Sequence, residues 1–523
     1  MKTGKILAIA LFSVALIPAA FAKVNVARYF ANNMVLQREA PVIIWGTTTK
    51  AGEEVTVSFA GQTVKAVSDK DRNWEVHLAP LAMQKEGSEM TIQGENKIVL
   101  NNILVGDVWL CSGQSNMEWL VNNVTGEEET IREAEKYPLI RAMMVNRKIE
   151  SLPLQDIPIR HTWKVCTPDV LKHFSAVGYY FARRIHMETG VPIGFIHNAW
   201  SACPIENYMS PDSFNREGLK EQYDIVMRCT PGTDEWVDEN KKFTASMAEW
   251  CKDTEKACQE NRPVKPLPVR LTTKYGGQFN AMIAPMARIQ LKGIIWYQGC
   301  ANAADGMIYY TKMHALVESW RKNWGKELPF YFVQLASWIN PTDDPEGGNG
   351  FAPIREVQRK AMDIPKSGMA CAIDIGMPND IHPKNKFDVG ERLAVWALHN
   401  EYGKKEIVVS GPLFKAVKFK NGKAIVSFDY AKGLMTAKKD GISKPVATPG
   451  EKPKHFAIAG ADKKWVWADA VIVGETVVLS SPEVKEPVAV RFAYRGTPAG
   501  FNMYNGAGLP MVPFRTDNWE EKK

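Results

Sequence analysis

Between Lys23 and about Asn102 apolar and polar residues alternate along the chain. Val55, Val57 and Phe59 share one face of an extended run, as do Trp74, Val76 and Leu78, with Ala51-Gly52 and Ala60-Gly61 marking turns. A period of two over short runs predicts a β-sandwich or similar module over residues 23–102. From 103 to 403 the pattern changes. Apolar runs at 103–110, 193–199, 294–297, 330–335 and 369–373 alternate with helical periodicities at 177–188, 309–324 and 391–400. Strands alternating with helices predict an α/β domain, a parallel sheet covered on both faces. Within it residues 213–262 are charged and helical, an insertion that could act as a lid. From 404 to 523 the period of two returns. Val417-Lys418-Phe419, Asn421-Gly422 and the run 424–428 form a hairpin signature, and a second β module follows.

Residues 1–22 stand outside these patterns. Lys2 and Lys5 precede an apolar run at 6–17, and Ala20-Phe21-Ala22 supplies small residues for cleavage. That composition reads as a secretory signal peptide, and the apolar run is short for a membrane span. The expected location is therefore the periplasm or the extracellular space, with no stable membrane insertion after cleavage.

The length of 523 residues exceeds what one core supports, so several domains are expected. Without Lys2 and Lys5 the formal charge of +7 falls to +5, and no dense basic cluster with interleaved aromatics is present. Nucleic acid is a poor partner on that basis. Eight cysteines form no CxxC pair and none has a histidine at metal-site spacing, so zinc is not expected, and nothing else in the sequence calls for a cofactor.

The run Val105 to Leu110 ends in Ser112-Gly113-Gln114-Ser115-Asn116 and then turns helical. Serine is a favoured helix cap, and the turn alone supports no more than that. Two further stretches change the picture, because a serine nucleophile needs a base and the base needs orienting. Asp380-Ile381-His382-Pro383 follows a strand-like run and offers both. Trp296-Tyr297-Gln298-Gly299-Cys300-Ala301-Asn302 is another strand end running into small residues. Asn302 could donate its amide to an oxyanion or cap the next helix.

Several motifs occur in a fixed order: Asn33-Met34-Val35-Leu36-Gln37, Gly113-Gln114-Ser115-Asn116-Met117, Ala281-Met282-Ile283-Ala284-Pro285, Trp296-Tyr297-Gln298-Gly299 with Asn302, Asp380-Ile381-His382-Pro383-Lys384-Asn385-Lys386, Gly508-Leu509-Pro510 and Pro513-Phe514-Arg515-Thr516. Together they resemble the sialate O-acetylesterase family of the SGNH hydrolase superfamily, over nearly the whole chain after residue 22. The resemblance implies a flavodoxin-like three-layer hydrolase domain with flanking β-sandwich-like domains. It implies Ser115 as nucleophile, His382 as general base, and Asn302 with the Ser115 backbone N–H as oxyanion donors. The superfamily's usual acid position, three before the histidine, holds Asn379. Asp380, two before, is taken as the orienting acid, with Asp374 as fallback.

Two departures accompany the resemblance. Trp200-Ser201-Ala202-Cys203 stands where the family tends to read Trp-Gly-Gly-Thr, and Gln298-Gly299-Cys300 where it tends to read Gln-Gly-Glu. Ser201 or Ala202 can still give the oxyanion a backbone N–H, unless the position demands a positive φ. Each departure introduces a cysteine, so Cys203 and Cys300 are either bridged across the pocket or two independent thiols. Gln114, Gln298 and Arg355 are candidate substrate contacts, Arg355 being equally suited to a surface ion pair. Trp119 and Trp200 are candidate pocket walls.

The expected function is a secreted serine esterase that removes O-acetyl groups from sialic acids or related glycans through an acetyl-enzyme on Ser115. One alternative keeps the chemistry on acetylated xylan or another polysaccharide. Another is a carbohydrate-binding protein whose hydrolase site is impaired.

Overall fold

The computed structural model describes residues 23–520, so the expected export signal at 1–22 lies outside it. The architecture is mixed α/β with several sheets. Its centre is a sheet in the order Ile159–Val165, Ile140–Val145, Ile193–Ala199, Lys97–Gly113, Gly293–Tyr297, Phe330–Gln334, Ser367–Cys371. All neighbours are parallel except the first pair. The outer strands Ile140–Val145 and Ile159–Val165 have no counterpart among the expected runs. Ile140–Val145 is buried along its whole length, and the charged Arg141 interrupts the apolar run that would have marked it.

Side chains on successive strand residues point to opposite faces, which shows that helices cover both. On Phe330–Gln334, Tyr331 reaches Glu401 at the end of helix Lys386–Glu401 (3.1 Å). Gln334 instead donates to the Arg355 carbonyl in helix Ala352–Lys360 (3.0 Å). Helices Ala176–Thr189 and Lys386–Glu401 pack together closely enough that Gly390 has no room for a Cβ beside Tyr180 (2.5 Å).

The strand Lys97–Gly113 spans 17 residues and serves two regions. Its first part pairs antiparallel with Gln84–Gln93 of the N-terminal β region. Its second part lies between Ile193–Ala199 and Gly293–Tyr297. The expected domain boundary between residues 102 and 103 falls inside it. Burial changes at that point, because residues 103–113 are all buried whereas Asn101 and Asn102 are exposed. The same apolar core continues from Val55 and Trp74 through Trp109 and Trp296.

Residues 213–262 hold the helices Lys220–Cys229 and Asp234–Gln259. In the C-terminal region strands Leu413–Lys420 and Lys423–Asp429 meet at Asn421-Gly422. Both turn residues have positive φ (51° and 69°), the two-residue turn whose twist matches an antiparallel hairpin. A separate apolar cluster holding Val426, Phe456, Phe492 and Phe514 forms the core here. Among the described residues no helix is long and apolar enough to cross a membrane.

Candidate active site

Gly113 ends the central strand with φ 140°, and a Cβ there would fall 2.2 Å from the Tyr297 carbonyl oxygen. Only glycine lets the two parallel strands close at this point. Gln114 then takes an extended conformation, and Ser115 opens the short helix Ser115–Glu118 at the carboxyl end of the sheet. Open parallel sheets present their sites at such ends.

His382 comes to Ser115 from the loop after Ser367–Cys371, and its Nε2 lies 2.8 Å from Ser115 Oγ. Asp380 Oδ1 sits 3.3 Å from His382 Nδ1 and also accepts from the His382 backbone N–H (2.8 Å). A carboxylate at Nδ1 favours the proton there and leaves Nε2 free to accept from the serine hydroxyl. Trp119 stacks on the imidazole, 4.7 Å between centroids at 19°. Burial holds the His382 pKa below its ordinary value, with the nearby Lys386 lowering it further and Asp380 opposing both. Asp374, the other acid considered, is paired with Arg392 (2.6 Å) and belongs to the core.

Ser115 and His382 face a cavity of about 1040 Å³, which Gln114, Ser201 and Ala202 also line. Gln298, Asn302 and Arg355 do not. Asn302 corrects an expectation. Its Nδ2 donates to Glu206 and Asp305 (2.9 Å each), and its Oδ1 accepts from Ile205 N and Gln298 Nε2 (2.9 and 2.7 Å). Both amide hydrogens are used, so none remains for an oxyanion. Gln298 is held in the same way: Nε2 also donates to the Cys203 carbonyl (3.3 Å), and Oε1 accepts from the Tyr309 hydroxyl (2.8 Å).

Arg355 is a second correction. It is fully buried, and its guanidinium donates to the carbonyls of Ala336 (2.9 Å), Arg495 and Gly496 (3.3 Å). It ties the C-terminal region to the α/β domain and meets neither substrate nor solvent. Gln114 lies at the cavity wall but turns its Oε1 to the Gly299 and Ala301 N–H groups (3.1 and 3.4 Å), bracing the neighbouring loop.

In the loop after Ile193–Ala199, the Ser201 N–H donates to Glu118 Oε2 (2.9 Å), and the Ser201 hydroxyl bonds the same oxygen. Ala202 adopts φ 59°, the left-handed region that favours glycine. Its position does demand a positive φ, and a methyl group now occupies it. Cys203 and Cys300 are free thiols, so the bridge across the pocket is absent. Each faces elsewhere: Cys203 Sγ accepts from Gln278 Nε2 (2.8 Å), and Cys300 Sγ lies 4.0 Å from Asn116 Nδ2. The helical insertion contributes no lining residue to this cavity.

Several lining groups were not anticipated. Glu118 bonds Arg147, and Arg160, His161 and His173 stand exposed around the mouth. His197, in the strand Ile193–Ala199, is buried and also lines the cavity, and burial pushes its pKa down to about 3. Glu118 sits on the turn after Ser115, beside the candidate wall Trp119, and could have been placed from it. Arg147 and Arg160 come from distant strand ends and carry no local signal. No group of three or more His, Cys, Asp or Glu among the described residues is arranged to hold a metal ion.

Comparison with known proteins agrees with this picture. Residues 245–399 match the family model for carbohydrate esterases described as sialic acid-specific acetylesterase. The chain is 29% identical to sialate O-acetylesterase of Mus musculus over 542 residues, covering 93% of each chain. It is also 29% identical to the Homo sapiens protein of that name, covering 93% of this chain and 91% of the other. A solved structure of a carbohydrate acetylesterase from Xanthomonas citri superposes with a TM-score of 0.77 at 32% identity, covering 95% of this chain and 100% of that one. Every one of these relatives is a carbohydrate esterase that acts on acetyl esters by its printed description. The chain belongs to the sialate O-acetylesterase family and is a carbohydrate O-acetylesterase.

Proposed function

We propose that this chain is an exported serine esterase that removes O-acetyl groups from anionic sugars, sialic acids first among them. The observation that carries this reading is the 2.8 Å contact between His382 Nε2 and Ser115 Oγ in the wall of a cavity large enough for a sugar. The parallel sheet with helices on both faces supports a flavodoxin-like three-layer hydrolase domain.

In the proposed reaction Ser115 Oγ attacks the acetyl carbonyl while His382 Nε2 takes its proton. Asp380 beside Nδ1 stabilises the imidazolium so formed. The backbone N–H groups of Ser115 and Ala202 would receive the oxyanion, since neither has an acceptor among the described residues. His382 then returns the proton to the departing sugar oxygen, and water attacking the acetyl-enzyme regenerates Ser115.

The mouth of the cavity favours an anionic sugar over xylan. Arg160 has no ion-pair partner among the described residues, and Arg147 shares the rim with it. The unpaired Arg160 guanidinium suits a sugar carboxylate, which planar donors bind well, while Arg147 is held by Glu118. The test is acetate release from O-acetylated sialic acid and acetylated xylan, with wild type, Ser115→Ala and Arg160→Ala. Sialate turnover lost in Ser115→Ala, with KM raised in Arg160→Ala, is expected. Faster release from xylan, insensitive to Arg160, would overturn the substrate assignment. Folded wild type inert even on an aryl acetate would favour the impaired, carbohydrate-binding alternative.

A further inference from the structure

We propose that Lys386 is a positioning residue for this site: its ammonium group braces the nucleophile turn through Asn116, and its charge keeps His382 in the neutral, proton-accepting form. The inference rests on the roles of Ser115 and His382 given above.

Lys386 is the first residue of helix Lys386–Glu401 and is fully buried. Its Nζ donates to Asn116 Oδ1 and lies 5.7 and 5.4 Å from the ring centroids of Trp119 and Tyr297. Among the described residues no carboxylate closes an ion pair with it. Asn116 follows the nucleophile, and its Nδ2 donates to the Ile381 carbonyl (2.9 Å), next to the base. Lysine, asparagine and the Ile381 carbonyl therefore clamp the turn carrying Ser115 to the loop carrying His382. A clamp of this kind fixes the serine–histidine distance, on which proton transfer depends steeply.

The charge matters separately from the clamp. His382 faces Asp380 on its own loop and Lys386 on the helix behind it, with Glu118, Arg147, His161 and His173 across the cavity. Lys386 faces Asp380 and the Cys300 thiol. Burial pushes its own pKa down to about 7, so it is cationic in mildly acidic solution. A cation there opposes a second positive charge on His382. Burying an ammonium without a carboxylate is costly, and packing alone would be served better by an apolar chain. Such groups concentrate at working sites.

The test is kcat/KM for a soluble aryl acetate from pH 4 to 9, with wild type, Lys386→Met, Lys386→Gln, Lys386→Arg and Asn116→Ala. In Lys386→Gln, which keeps a donor for Asn116, the acid limb should move up by about half a pH unit or more. Lys386→Met should show the same shift and a kcat lower by roughly tenfold, with KM little changed. Lys386→Arg should hold the limb in place, as should Asn116→Ala, which lowers kcat alone. An acid limb unmoved in folded Lys386→Gln overturns this proposal only. Wild-type turnover that survives Ser115→Ala overturns the reading of the site and the proposal with it.

Discussion

Two neighbouring strand ends of the central sheet look alike as sequence and behave oppositely as structure. Gly113 and Tyr297 are paired across the sheet, and each is followed by small and polar residues of catalytic type. After Gly113 the chain turns outward, and Ser115 Oγ meets the cavity with His382 as its partner. After Tyr297 it turns inward, and Gln298 and Asn302 spend their amides on Cys203, Ile205, Glu206, Asp305 and Tyr309. What separates a reacting group from a structural one is whether its polar atoms still have something left to do. A hydrogen-bond donor already satisfied inside the protein cannot be released to an oxyanion without leaving its old acceptor bare.

The comparison can be broken most directly at its two centres. Ser115→Ala should lower kcat by roughly 10⁴-fold or more while leaving the melting temperature within a degree or two, measured by acetate release and calorimetry. Asn302→Ala should do the reverse. With its four hydrogen bonds gone and Glu206, Asp305 and Lys312 left facing a gap, stability should fall by about 3 kcal/mol in denaturant titration. If Asn302→Ala instead lost a hundredfold in kcat at unchanged stability, the inward strand end would be catalytic after all.

Smaller effects sharpen the contrast. Lys386 binds a proton below about 7 in the folded chain and at its ordinary, higher value in the unfolded one. Between those limits the unfolded state holds the extra proton, so wild-type stability rises with pH. The melting-temperature advantage of Lys386→Gln should therefore widen as pH is lowered towards 7 and stay constant below it. His382 is also held below its ordinary value. It must be neutral to act as base, so kcat/KM should stay on its plateau as pH falls somewhat below 6.5. Least of all, Ala202→Gly should relieve the left-handed strain and stabilise the protein by about 0.5 to 1 kcal/mol, with activity kept.

The parts legible in the sequence were those where local pattern and tertiary role coincide. The hairpin at Asn421-Gly422 carries its own turn chemistry, and buried parallel strands announce themselves as apolar runs. The meeting of Ser115 and His382 was legible because the motifs around them mark a sharp turn and a loop at strand ends. Arg355 and Asn302 misled because residue type says what a side chain can bond, while the fold decides what it meets. Arg355 looked like a free cation and is spent on three carbonyls, two of them brought from the far end of the chain. The mouth of the cavity was illegible because Arg147, Arg160 and His173 come from separate segments with no shared periodicity. Lys386 lay in plain view inside a quoted motif, yet its burial depends on Trp119, Tyr297 and Cys300, three residues from two distant stretches.

The long strand Lys97–Gly113 has a consequence for how this molecule can be taken apart. Its early residues are sewn into the N-terminal sheet, and its last residue sets the backbone from which Ser115 projects. Removing the first hundred residues as a dispensable appendage would cut into this strand and take away the partners that Val35–Gln37 and Gln84–Gln93 give to residues 103–106. The N-terminal region thus braces the base of the strand from which Ser115 projects, and a shortened chain would keep that strand's tip while losing the support at its root.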